Sequence, residues 1–414
     1  MTIRNKYPQY IIISLLLVMI LATYLRVDFI RSVQHHLSHD SINYDIMVRQ
    51  LLESGVYAYK DTQPNAQVTP GYPLFLATIY KLTNYEHNDP LPMVRYIQII
   101  LSLATLLLIF RITRMLSNDI VALLATFVAA IYPSFVWTNG AILTEVLATF
   151  LLVSYVYLQL KAFHNQTRSW AIAAGIACGL LVLTRPEFLP LPAAIYGFYW
   201  IWKKDFRLTL RLGLLTLLGL VIILSPWVVR NVVSLNEIVI ASTQVNPFAA
   251  GTYPDKNYDD GLVDRHGKTQ MEVAKERLKV GFTEKPWVFL KWYTIGKMEY
   301  TYKNMFFGSG HVPYYKVIPF IQHGVVHLFI IGFGLIALSV TMFRWRQLTG
   351  VLAVVLIIMS LIRLGFVPEF RYNYTVMPFV IILDCIVGMS ILRWIIKKIK
   401  DRPEGPLEKG EIMP

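Results

Sequence analysis

Two carboxylates and three arginines have the types and positions to do chemistry, because each falls where an apolar run meets a polar stretch: Asp40 and Glu145, and Arg185, Arg230 and Arg371. A carboxylate at a membrane surface can take the proton of an attacking hydroxyl, since partial burial raises its pKa toward working pH. A guanidinium at a helix end can grip a phosphate through two parallel hydrogen bonds, or simply extend its charge to the lipid headgroups. Asp40 also has a plain structural use as the N-cap of the segment that follows it, and Ser41 could serve equally. Glu145 follows the turn Thr138–Gly140 at the boundary of an apolar run, where an ionisable group is costly unless it faces a polar cavity. His35, His36 and His39 crowd the approach to Asp40 in a short HHxxHD run. That spacing leaves a divalent metal open, and no other cofactor is indicated.

The elements that must position these groups are membrane helices. At 55% hydrophobic and 16% charged over 414 residues, with mean hydropathy +0.48, the chain carries more apolar side chain than a soluble core can bury. Ten apolar stretches approach the ~20 residues needed to cross a bilayer: 10–25, 93–112, 120–137, 142–160, 170–183, 189–202, 208–229, 318–343, 348–364 and 375–396. The expected class is therefore an all-α polytopic membrane protein of about ten transmembrane helices with two long extracytoplasmic loops that carry amphipathic helices.

A net charge of +13 does not indicate a nucleic-acid partner here, because the basic residues sit in short connections. Arg4 and Lys6, Arg111 and Arg114, Lys161 and Arg168, Lys203 to Arg211, Arg344 and Arg346, and Arg393 to Lys400 occupy every second gap, as the positive-inside rule requires. Both termini are expected in the cytoplasm. The first apolar run is read as a retained helix rather than a cleaved signal, since Tyr24 and Arg26 stand where a small-residue cleavage pattern would be. Cys178 and Cys385 both lie inside apolar stretches and read as packing residues.

The opposite gaps are long and acidic. In the first, 27–92, residues His39–Tyr57 (HDSINYDIMVRQLLESGVY) pattern as an amphipathic helix stopped by Gly55, and Thr69–Thr83 is too short to span. In the second, 230–319, Thr269–Leu278 reads as a surface helix. Lys285–Lys303, rich in tryptophan, tyrosine and lysine, reads either as a headgroup-level segment or as packing for the loop. The expected divisions are 1–229, a transmembrane module that includes loop 27–92; 230–319, the long loop; 320–396, the last helices; and 397–414, a cytoplasmic tail whose end is rich in Pro, Gly and Glu.

The order of motifs resembles the GT-C superfamily of polyprenyl-phosphate-sugar-dependent glycosyltransferases, in particular the bacterial protein mannosyltransferase and aminoarabinose transferase branch. The matching residues are Asp40, Tyr44, Leu51, Leu52, Gly55 and Tyr57 in the first loop, then TPGYPLF at Thr69–Phe75, Pro133 with Thr144 and Glu145, Pro226–Asn231 (PWVVRN), and Arg371, Tyr372 and Pro378. The likeness is clearer over the first two thirds of the chain. Where many relatives carry a second acid after the loop aspartate, this chain has Ser41, and no large domain is expected after the last helix.

The resemblance implies a GT-C fold and a multi-pass membrane enzyme whose active site faces the extracytoplasmic side. It implies transfer of a sugar, with inversion, from a polyprenyl-phosphate donor to an extracytoplasmic acceptor. Such a reaction expels a phosphate, a weakly basic leaving group that needs electrostatic stabilisation more than a proton. On this reading Asp40 and Glu145 are the catalytic candidates, and Tyr44, Arg185, Arg230, Arg371 and Tyr372 bind substrate. Asp45, one helical turn past Asp40 with no motif match, is expected to be silent. The partners are the lipid-linked donor, the acceptor and the bilayer. Rival classes with the same hydropathy are a transporter, for which internal repeats and broken helices with midmembrane charges are expected instead, and a polysaccharide polymerase or assembly protein.

Overall fold

In a computed structural model the structure describes residues 8–242, 245–308 and 315–401, so Arg4, Lys6 and the end of the tail lie outside the described residues. Among the described residues there is no strand. The helices are α1 (Gln9–Ser32), α2 (Asp40–Ser54), α3 (Gly71–Leu82), α4 (Leu91–Leu116), α5 (Asp119–Ile131), α6 (Pro133–Trp137), α7 (Glu145–Asn165), α8 (Arg168–Thr184) and α9 (Leu191–Lys203). They continue with α10 (Phe206–Leu235), α11 (Val245–Ala250), α12 (Gln270–Glu284), α13 (Pro286–Lys291), α14 (Lys297–Lys303), α15 (His323–Phe343), α16 (Thr349–Leu364) and α17 (Met377–Lys400).

Each of the ten expected apolar stretches contains a helix, but their lengths differ. Among the described residues six helices, α1, α4, α7, α10, α15 and α17, are long and apolar enough to cross a membrane, or seven if α5 and the Pro133–Gly140 segment count as one span bent by 61°. The bend has a local cause. Pro133 lacks an N–H and forces Tyr132 out of the helical region, to ψ 118, so the expected span 120–137 breaks in the middle. The next span begins at Glu145 rather than at 142, because Thr138–Gly140 forms a tight 3-10 turn. α8, α9 and α16, of 17, 13 and 16 residues, rise only about 20–26 Å.

Close backbone approach and buried polar ties hold the bundle together. α8 packs along α10 through Gly175 and Gly219: a Cβ on Gly175 would lie 2.0 Å from the Thr216 carbonyl oxygen. Small residues allow such approach where lipid removes the hydrophobic drive between helices. Arg26, fully buried on α1, donates to Ser102 on α4 at 2.9 Å and to the Ala130 carbonyl on α5 at 3.1 Å. Cys178 and Cys385 are both free and buried, as packing residues should be.

The two long connections fold against one end of the bundle. In the first, α2 stops at Gly55, whose φ of 73° is the left-handed form that ends helices, and α3 buries Tyr72, Leu76 and Tyr80. In the second, α12 starts with a full capping box between Thr269 and Glu272 and runs on to Glu284. The aromatic segment 285–303 divides between its two expected roles: Trp287 is 80% exposed while Phe289 and Trp292 are buried.

Candidate active site

The turn before Glu145 is held from α4. Gln98 donates to the carbonyls of Asn139 and Ala141, both at 2.9 Å, and Arg95 donates to the Gly140 carbonyl at 3.1 Å. These bonds fix where α7 begins and place Glu145 in its first turn, almost fully buried. Across from it α8 ends at Arg185, because Pro186 cannot continue the helix. The Arg185 guanidinium meets Glu145 at 3.1 Å and Glu187 at 3.5 Å.

Asp40 opens α2 but does not cap it. The N-cap position belongs to His39, with φ 45° and no side-chain cap bond. The Asp40 carboxylate instead accepts from Arg371 at 2.8 Å and from the Tyr59 hydroxyl at 3.3 Å. Burial alone pushes its carboxyl up, but Arg371 and the Tyr59 hydrogen bond outweigh it and hold the pKa below the ordinary carboxylate range. The expectation that burial raises this group toward working pH is thus corrected by the ion pair.

These groups share one cavity of ≈ 180 Å³, lined by Asp40, Tyr44, Glu145, Arg185, Arg371 and Tyr372. Six of the seven residues singled out in the sequence therefore meet, although they span more than 330 positions of chain. Tyr372 lies at the centre of the cations: the guanidinium carbons of Arg185, Arg371 and Arg363 stand 5.3, 5.7 and 6.0 Å from its ring centroid. Tyr44 packs edge-on against Tyr72 at 5.1 Å, which sets the wall beside Asp40. Residues 67–69, Ala241, Pro247 and Phe366 also line it, and their stretches are stitched by Val367 N–H to the Pro247 carbonyl at 2.8 Å and Ser242 N–H to the Ala66 carbonyl at 2.9 Å.

Arg230 is the exception. Its guanidinium donates to the carbonyls of Asn65 and Tyr57 at 3.0 and 3.1 Å and lies over the rings of Tyr57 and Trp227. Its contacts are those of a residue that holds the 57–69 loop onto α10. Asp45, expected to be silent, accepts from the Tyr80 hydroxyl at 2.6 Å and pairs with Arg49 at 3.1 Å. It ties α2 to α3, so its removal should cost stability.

Two charged lining residues were not among the site candidates. Glu187 stands two positions past Arg185 behind a helix-breaking proline, and that RPE pattern could have marked it. Arg363 sits in the last turn of α16, at the end of an apolar run away from the basic gaps, which is the signal that could have found it. The histidines do not converge. His35 packs edge-on against Phe29 at 5.2 Å and contacts the Ile30 carbonyl at 3.2 Å. Among the described residues no group of three or more His, Cys, Asp and Glu side chains is placed to hold a metal. Asp40 and Glu145 each already face a guanidinium, a donor set that opposes a divalent cation.

Over nearly its whole length the chain superposes on solved membrane transferases. It aligns with the oligosaccharyltransferase AglB of Archaeoglobus fulgidus, in complex with an inhibitory peptide and a dolichol-phosphate, at TM-score 0.57 and 16% identity, covering 96% of this chain and 52% of that one. It aligns with ArnT of Cupriavidus metallidurans bound to undecaprenyl phosphate at TM-score 0.53 and 14% identity, covering 95% and 62%. The fold is that of the GT-C superfamily. Residues 67–229, less than half of the chain, match the family described as dolichyl-phosphate-mannose-protein mannosyltransferase. No curated protein sequence matches significantly. The chain spans between half and two thirds of the length of these solved relatives, and its long apolar helices are those of a multi-pass membrane protein.

The Arg185–Glu145 pair generates a stability prediction. Both side chains are at least nine-tenths buried, so Glu145→Gln should destabilise the protein toward the low end of the roughly 3–5 kcal/mol typical of a broken buried pair, Glu187 still contacting the arginine. Adding Arg185→Met should recover most of the loss. Thermal unfolding in detergent checks this, and a silent Glu145→Gln would contradict the pairing.

Proposed function

We propose that the chain is an inverting glycosyltransferase that moves a sugar from a polyprenyl-phosphate donor to a hydroxyl-bearing acceptor on the extracytoplasmic face. The observation that carries this reading is the Asp40–Arg371 ion pair in the cavity mouth. It couples a carboxylate suited to taking a proton with a guanidinium suited to a phosphate. The matched profile over residues 67–229 and the lipid-phosphate-bound relatives support the donor class.

The pair suggests how binding and chemistry are linked. As the donor's phosphate docks, it draws the Arg371 fork away from Asp40. Asp40 loses its counter-charge in a poorly solvated site, and its pKa rises toward that of a working base. The acceptor hydroxyl then passes its proton to Asp40 as its oxygen bonds to the anomeric carbon, and the bond from that carbon to the phosphate oxygen breaks from the opposite face. Polyprenyl phosphate leaves with the electron pair, its charge held by arginine. Glu145 and Glu187 fix Arg185 beside Tyr372, and Arg230 keeps the 57–69 loop in place.

The base assignment predicts that Asp40→Asn inserts and folds but transfers sugar ~100-fold or more slowly. The assay is release of polyprenyl phosphate by membranes containing each variant, normalised to inserted protein; wild-type turnover would remove Asp40 from the role. The exchange of Arg371 between carboxylate and phosphate predicts a further signature. In kcat/KM, which reports the free protein, the acid limb lies below the ordinary carboxylate range; in kcat, which reports the donor complex, it lies at higher pH. Coincident limbs would rule the exchange out. The sidedness predicts that a cysteine at Asn257 is labelled by an impermeant reagent in intact cells while one at Asn165 is protected, and the reverse pattern would place the cavity in the cytoplasm.

A further inference from the structure

Arg363 is 4% exposed and reaches the active-site cavity from the last turn of α16. Only Nη2 has a protein partner, the Thr375 hydroxyl at 3.2 Å, while Nε and Nη1 are buried with none. Other buried arginines differ. Arg26 leaves only Nη2 unpartnered and bonds through Nε and Nη1. Arg277 leaves only Nε unpartnered and grips both oxygens of Asp260, at 2.8 and 2.5 Å.

The other two cations of the cavity are neutralised locally, Arg185 by Glu145 and Glu187 and Arg371 by Asp40. Among the described residues no carboxylate forms an ion pair with Arg363. A buried guanidinium with two idle donors is a costly arrangement unless something else completes it. It is also held in place from behind: Lys297 donates to the Leu364 carbonyl at 2.7 Å and so secures the end of α16.

We infer that Arg363 binds the phosphate of the lipid-linked donor, meeting it as the cavity cation that has no carboxylate partner among the described residues and completing donors that the protein leaves idle. This rests on the donor class proposed above. It gives Arg363 the resting anion site and leaves Arg371 as the group that exchanges between Asp40 and the ligand. The completing anion is the substrate, so the arginine weakens the empty protein and strengthens the complex.

The test is binding of undecaprenyl phosphate, undecaprenol and inorganic phosphate to the purified full chain, together with unfolding of the ligand-free protein. Arg363→Gln should weaken undecaprenyl phosphate by about 10-fold or more, leave undecaprenol unchanged, and leave the unfolding temperature of the empty protein equal or higher. Arg363→Lys, which keeps the charge without the fork, should fall between. Equal undecaprenyl phosphate affinity in wild type and Arg363→Gln overturns the inference. So does a lowered unfolding temperature in Arg363→Gln that Arg363→Lys restores with no selective effect on the phosphate ligand, since that is a purely structural arginine. Tighter binding of inorganic than of undecaprenyl phosphate assigns the site to free phosphate and overturns it as well. Wild-type protein that does not distinguish undecaprenyl phosphate from undecaprenol fails the donor reading itself, a result separable from the others.

Discussion

Charge pairing inside a poorly solvated cavity is the constraint on which the rest of the structure depends. Three arginines and three carboxylates line one space at the loop-bearing end of the bundle, where an unpaired charge costs several kcal/mol. The Arg371–Asp40 contact at 2.8 Å and the Arg185–Glu145 contact at 3.1 Å join the ends of elements far apart in sequence. The first loop, α7, α8 and the connection between α16 and α17 must therefore assemble together for any of these charges to be satisfied.

That constraint gives meaning to features that look merely structural. The break at Pro133 and the bonds from Gln98 and Arg95 set the depth at which α7 starts, and with it Glu145. Arg230 and Trp227 fasten the 57–69 loop to α10; the Trp227 indole donates to the Ile240 carbonyl at 2.8 Å. The segment at the cavity mouth is thus carried by the same helix end. Asn373 donates to the carbonyls of Thr301 and Asn304, both at 2.9 Å, which anchors the Arg371–Tyr372 turn to α14. The geometry of this cavity is a property of helix ends and the turns between them.

Much of this was legible from residue type and position. The apolar stretches, the helix stopped by Gly55 and six of the seven candidate site residues followed from hydropathy, capping and motif order. What was not legible is instructive. Hydropathy counts apolar residues without regard to a single proline, so 120–137 read as one span although Pro133 bends it. Arg230 and Arg371 read alike as arginines at helix ends, and only the fold separates the one that holds loop carbonyls from the one that faces Asp40. The direction of the Asp40 pKa was misread because burial is inferable from sequence while a partner 331 residues away is not.

The proposed donor, a polyprenyl phosphate carrying a single sugar, is open to a direct measurement. In a strain lacking this chain, loss of the step that consumes the donor leaves the donor behind, so lipid analysis should find a polyprenyl phosphate carrying one sugar accumulated, reversed by the wild-type chain and not by Asp40→Asn. An unchanged pool of lipid-linked sugars, or accumulation only of a lipid carrying a multi-sugar chain as a missing polymerase would leave, would contradict it.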